Sequence, residues 1–257
     1  MDARVLESKN KYEGKVFKSN NCGDIIVLEY INTNNIKVQF VETGYSRIVS
    51  VGNLLSGRVR DPSFPSVYNI GWLGKKFSKD EFTLQSYVCW NSLLFRCYHF
   101  QSKSKRPTYE DCTVSEDFKC YATFKDWCEK QIGFNSMDEK GKTFALDKDI
   151  LIKGNKVYSS ETCCFVPQEI NSLFNTHKNS RDGAILGVRK ERGSFRAVLS
   201  RYSVRRSVGL FDTEQEAFYA YKQAKEDYIK EVANKWKDQI DPRAYEALMS
   251  WVVEGSD

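Results

Sequence analysis

Apolar and polar residues follow three different rhythms along the chain. Between residues 13 and 60 the rhythm is that of strands. IIVLEYI at 25–31 is a continuous apolar run, and IKVQFVETGY at 36–45 alternates. That alternation puts Ile36, Val38 and Phe40 on one face and Lys37, Gln39 and Val41 on the other. Asn34-Asn35 supplies a turn, and Gly14, Gly23, Gly44, Gly52 and Gly57 punctuate the segment. A small antiparallel sheet, curled or barrel-like, is predicted. DPSFPSVYNIGWLG at 61–74 holds two of the five prolines, with Gly71 and Gly74, and reads as a linker or a packed extended arm.

From residue 76 the period becomes helical. Ser78 and Glu81 have capping-box spacing. A stripe follows at Ser86, Cys89/Trp90, Leu93/Leu94 and Cys97. A second helix is predicted over 116–131, with Phe118, Tyr121, Phe124 and Cys128 on one side. FALDKDILIKGNKVY at 144–158 reads as two short strands around Gly154-Asn155, and 159–174 as a turn entering a partly helical segment.

The third rhythm, 184–236, is three strands and a helix. AILGVRK, SFRAVLSR and RRSVGLF are split by Arg192-Gly193 and Tyr202-Ser203. Thr213 and Glu216 form a second capping box. The helix behind it carries Ala217, Tyr221, Ala224, Tyr228, Val232 and Trp236 on one stripe. Phe195, Ala197 and Leu199 should pack under that helix, leaving Arg196, Val198 and Ser200 on an open face. The expected class is α+β. Its parts are a small β domain with linker at 1–75, a helical and strand–strand–helix region at 76–180, a sheet-on-helix module at 181–240 and a packing tail at 241–257.

Composition narrows the function classes. The 257 residues are 41% hydrophobic, enough for folded cores and too many for a disordered chain. No apolar signal region opens MDARVLESKN, and no apolar run approaches the ~20 residues of a membrane span. The net charge of +5 is unevenly spread. Residues 181–210 hold eight basic and two acidic residues: Arg181, Arg189, Lys190, Arg192, Arg196, Arg201, Arg205 and Arg206 against Asp182 and Glu191. A window that basic, interleaved with Phe195 and Tyr202, suits a phosphate backbone. The eight cysteines contain no C-x-x-C pair, so buried thiols are expected rather than zinc. No phosphate-binding glycine loop, dinucleotide fingerprint or nucleophile elbow is present.

Asp147 and Asp149, two apart, would share a strand face and could hold Mg2+, with Lys148 pointing the other way. Equally, they could bond nearby backbone or lysines.

Two stretches resemble known families. Residues 187–224 are similar to the DNA-binding domain of plant ethylene-response factors, the apetala-two type. The resemblance is carried by Gly187, Val188, Arg189, Phe195, Arg196, Ala197, Gly209, Phe211, Thr213, Glu216, Ala217, Ala220 and Tyr221. It implies a three-stranded sheet laid in the major groove of double-stranded DNA. Its DNA contacts would come from Arg189, Lys190, Arg192, Arg196, Arg201, Arg205 and Arg206. Residues 90–98, 107–118, 124–131 and 146–171 resemble a bacteriophage HNH homing endonuclease, a domain that such a module often follows. Asp147 falls on that family's acid, Gly154-Asn155 on its turn, Thr162 on a later metal-binding Asn, and Val166 and Asn171 on later motif positions.

Lys148 departs from the pattern, standing where the family has its histidine base. The two histidines, His99 and His177, lie elsewhere and read as surface residues. The resemblance implies a cytoplasmic protein of an infected bacterial host. One reading is a metal-dependent endonuclease using Asp147, Lys148, Asp149 and Asn155, with Mg2+ on Asp147 and Asp149. The other is a DNA-binding repressor or blocker that has lost its chemistry. An RNA-binding or protein-interaction role centred on the amino-terminal sheet is a third.

Overall fold

The computed structural model describes residues 3–105, 107–174, 185–202 and 204–255. His177, Arg181, Ser203 and the expected boundary at 180/181 lie outside them. The chain forms two compact units, Met1–Asp126 and Trp127–Asp257. Among the described residues no helix is long and apolar enough to cross a membrane.

In the first unit, helix α1 (Ala3–Tyr12) precedes a four-stranded antiparallel meander: β1 (Val16–Lys18), β2 (Asp24–Asn32), β3 (Asn35–Phe40) and β4 (Ser46–Val49). Ile36, Val38 and Phe40 are all buried, as their alternation requires, and join Ile25, Val27 and Tyr30 in one core. The alternating segment at 36–45 does not continue as one strand. Gly44 adopts φ 71°, the Phe40 amide donates to the Tyr45 carbonyl while the Gly44 amide donates back to the Phe40 carbonyl, and the chain returns as β4. Helix α2 (Val51–Leu55) follows, its first turn capped by the Ser50 side chain.

The proline-rich stretch is a packed arm. Asp61 is buried and accepts hydrogen bonds from the Ser63 amide at 2.7 Å and from the Thr43 hydroxyl. A Cβ on Gly71 would come within 2.4 Å of Leu94 and 2.8 Å of Trp90, so the backbone passes directly over α3 (Gln85–Tyr98). Short helix α4 (Phe100–Lys105) and strand β5 (Thr113–Val114) follow α3.

Two sequence expectations fail in this unit. The helix predicted over 116–131 is broken into α5 (Glu116–Lys119) and α6 (Tyr121–Cys128). Cys120 between them is extended because the arm's Trp72 inserts there. Trp72 takes a bond from the Tyr121 amide at 2.8 Å and gives one to the Lys119 carbonyl at 3.1 Å. The Ser78–Glu81 capping box does not form either: residues 80–83 make a 3-10 turn, and α3 begins only at Gln85. Glu81 is captured instead by Lys125 at 2.6 Å and the Tyr121 hydroxyl at 2.7 Å.

In the second unit β6 (Ala145–Asp147) pairs antiparallel with β8 (Cys164–Val166), and α7 (Gln168–Ser172) follows directly. The strand partner of β6 is thus β8 and not β7 (Val157–Tyr158), the segment just past Gly154-Asn155. Next comes a three-stranded meander: β9 (Val188–Glu191), β10 (Ser194–Arg201) and β11 (Val204–Phe211), with β10 central. Helix α8 (Glu214–Trp236) packs across it. The Thr213–Glu216 capping box is present in both directions, each bond 3.2 Å.

The helix serves two partners. Its Tyr221 and Tyr228 face the sheet, while Trp236 meets Phe144 edge-on at 5.7 Å and donates to Glu169 of α7 at 2.8 Å. Helix α9 (Pro242–Met249), capped by Asp241, buries Ala244 and Leu248.

Candidate nucleic-acid interface and the acidic loop

The β9–β11 sheet has one covered and one open face. Ala197 and Leu199 of β10 are buried beneath α8. On the other face, the register sets Arg196 directly between Arg189 of β9 and Leu210 of β11. Val198 then opposes Ser207, and Ser200 opposes Arg205. Cross-strand partners project to the same side. The open face therefore carries Arg189, Arg196 and Arg205 together with Val198, Ser207 and Leu210, the last of these 55% exposed.

A β-bulge decides which arginines face outward. The register shifts between Ala197 and Val198, leaving Val208 as the extra residue of β11. Counting back from Leu210 by twos would have sent Arg206 outward. With the bulge, Arg206 stands opposite Leu199 on the helix side and Arg205 takes the open face.

The seven basic residues expected to contact DNA thus separate. Arg189, Arg196 and Arg205 share the open face. Lys190 opposes Phe195 and Arg206 opposes Leu199, both on the helix side but exposed at edge strands. Arg201 is committed to α8, where it pairs with Glu231 and lies 4.9 Å from the Tyr228 ring centre. Arg192 sits in the turn with φ 46°, followed by Gly193 at φ 91°. Two left-handed residues in a two-residue loop are what a tightly twisted hairpin needs.

Sequence reading missed two residues of this face. Glu191 pairs with Arg196, which also donates to the Ser207 hydroxyl at 3.0 Å. Arg196 holds the Glu191 carboxyl below the usual range. Stepping by two from Arg189 would have found Glu191; nothing short of the bulge would have found Ser207.

The acidic loop is tightly bonded. Strand β6 ends at Asp147, so strand alternation does not extend to Asp149. Asp147 Oδ1 accepts from the Asp149 amide at 2.7 Å and the Ile150 amide at 2.9 Å, turning the chain. Burial pushes the Asp147 carboxyl upward, against the pull of those two amides; the nearby Asp149 carboxylate adds to the push. Lys148, only 6% exposed, does not point away. Its Nζ donates to Asp149 Oδ1 at 2.6 Å and to the Asn155 carbonyl at 2.7 Å. The Asn155 side chain donates to the carbonyls of Lys148 at 2.8 Å and Val157 at 2.7 Å, and accepts from the Val157 amide at 3.1 Å. Thr162 is likewise engaged, donating to the Val157 carbonyl at 2.7 Å.

Mg2+ requires near-octahedral oxygens at ~2.0–2.1 Å. Here one oxygen of Asp147 is taken by two amides, and one of Asp149 by an ammonium. The Asn155 amide is spent on backbone. These residues, as arranged, do not fit the ion. Among the described residues no group of three or more His, Cys, Asp or Glu side chains could hold a metal.

All eight cysteines carry thiols; six are buried, and Cys89 and Cys120 are half-buried. Burial pushes the Cys163 thiol up to about 12 and Cys164 well above its usual value. His99 closes α3, stacked between Phe95 at 4.7 Å and Phe100 at 4.8 Å, with its Nδ1 accepting from the Gln101 amide.

Comparison with protein-family models, curated proteins and solved structures finds no match to this chain. The functional reading rests on the residues and their geometry.

Proposed function

We propose that this chain binds double-stranded DNA through the open face of the β9–β11 sheet. The observation that carries the reading is the alignment of Arg189, Arg196 and Arg205 on a face that α8 leaves uncovered. Three strands spaced ~4.8 Å apart make a face about 10 Å wide, and a major groove is about 12 Å across. Arginine can grip guanine in bidentate fashion or hold phosphate, and Val198 and Leu210 supply apolar surface for a thymine methyl. The likeness of 187–224 to the apetala-two module points the same way. Binding without cleavage, as a repressor or blocker, is favoured over an endonuclease by the bonding of the acidic loop.

The test is fluorescence anisotropy of the full chain with labelled duplexes across a salt series. Three to five phosphate contacts predict a slope of log K against log salt of about −2.7 to −4.5. A flat response, or equal affinity after Arg189→Ala with Arg205→Ala, would remove the sheet as the interface.

A further inference from the structure

We infer that the Lys148 ammonium is the resident cation of the acidic loop, a built-in replacement for a divalent metal. Three facts carry this. Lys148 Nζ lies 2.6 Å from Asp149 Oδ1 and 2.7 Å from the Asn155 carbonyl, so it occupies the position from which a cation would engage both oxygens. It is nearly inaccessible and lies 5.9 Å from the Tyr158 ring centre, which adds a cation–π partner. Finally, the loop folds around it: the Asn155 amide reaches back to the Lys148 carbonyl, and Asp147 pins the amides of Asp149 and Ile150. A buried charge persists only when paired and hydrogen-bonded, and these contacts supply both. A second cation placed between the same oxygens would meet the ammonium at contact distance and be repelled.

The loop is therefore closed without metal and does no metal chemistry. It acts as a cross-brace: the ammonium ties the end of β6 to the turn before β7. This inference stands apart from the DNA-binding reading, because neither measurement below uses DNA.

The test takes the full chain with MnCl2 as probe. Bound ion is counted from the loss of the free-ion electron paramagnetic resonance signal. The wild type is expected to show no Mn2+ site that Asp149→Asn removes, and the same melting temperature in Mg2+ as in EDTA. One equivalent of Mn2+ lost in Asp149→Asn would overturn the inference. The second arm is a cycle of Asp149→Asn and Lys148→Met. Asp149→Asn should lower the melting temperature by a few degrees in the wild type and by much less in the Lys148→Met background. Equal shifts in the two backgrounds would show that the carboxylate does not serve the ammonium. Should Lys148→Met fail to fold, the Mn2+ arm decides alone.

Discussion

Replacing Arg205 should weaken DNA binding far more than replacing its neighbour Arg206. Sequence alone treats the two as equivalent, and a count by twos from Leu210 would even prefer Arg206. The structure separates them through the extra residue Val208, which puts Arg205 opposite Ser200 on the open face and Arg206 opposite Leu199 on the helix side. An arginine gripping a base edge contributes about 1–3 kcal/mol of discrimination, so Arg205→Ala should weaken a selected duplex roughly 5- to 150-fold. Arg206, at the edge of the covered face, can reach a phosphate at most. Its loss should reduce the salt slope by no more than about 0.9 and change affinity alike for all sequences. Both substitutions are at exposed strand positions, so folding should survive in each. Anisotropy titrations of both variants on a selected and a scrambled duplex at two salt concentrations make the comparison. If Arg206→Ala costs as much as Arg205→Ala, or more, the bulge does not set the reading face and the argument fails.

Two further outcomes probe the scaffold. Gly187 holds φ 75°, and a Cβ there would lie 2.2 Å from the Tyr221 ring; Gly187→Ala should destabilise the second unit by roughly 2–4 kcal/mol, read by chemical denaturation, and a loss below about 1 kcal/mol would contradict the close approach. Burial pulls the Lys225 ammonium down to about 8, with the Leu173 carbonyl 2.7 Å away. The unfolded chain keeps that proton to about 10.4, so between about pH 8 and pH 10 it binds more protons than the folded chain, and this lysine's contribution to stability rises with pH. The buried Cys163 thiol acts in the opposite sense above its unfolded value, so the readout is the difference in melting temperature between wild type and Lys225→Met. Wild type should gain a few degrees relative to the variant over that range, and a constant difference would refute the shift.

What was legible in the sequence is what depends on near neighbours. The alternation of Ile36, Val38 and Phe40, the stripe of α3, the Arg192-Gly193 turn and the Thr213–Glu216 cap are set within a few residues, and each is present. What was not legible depends on distant partners. The helix over 116–131 breaks because Trp72, forty-eight residues before Cys120, competes for its backbone bonds. Glu81 abandons its cap because Lys125 and Tyr121 offer a stronger, partly buried partnership. Helix α1 has mostly exposed side chains, so it leaves only a faint apolar pattern to read. The acidic loop was half legible. Asp147, Lys148, Asp149 and Asn155 do meet, but spacing could not say which of them the lysine would join.

The basic residues of the second unit sort by what surrounds them. Arg201 has Glu231, Lys235 has Glu169 and Glu139, Lys222 has Glu226, and buried Lys148 has Asp149. Of these cations Lys148 lies inside the fold, where an unmatched charge would be costly, and the others lie partly exposed on or against α8. Arg189 and Arg205, on the open face, make no ion pair with a described residue. Arg196 does, but an exposed pair contributes only ~0–1 kcal/mol and can exchange its carboxylate for a phosphate or a base edge at little cost. Glu191 then has its own part. Released from Arg196 against a major groove, its carboxylate can accept from a cytosine amino group and is repelled by phosphate. A face built only to coat DNA would gain by losing that acid; a face that reads sequence has a use for it.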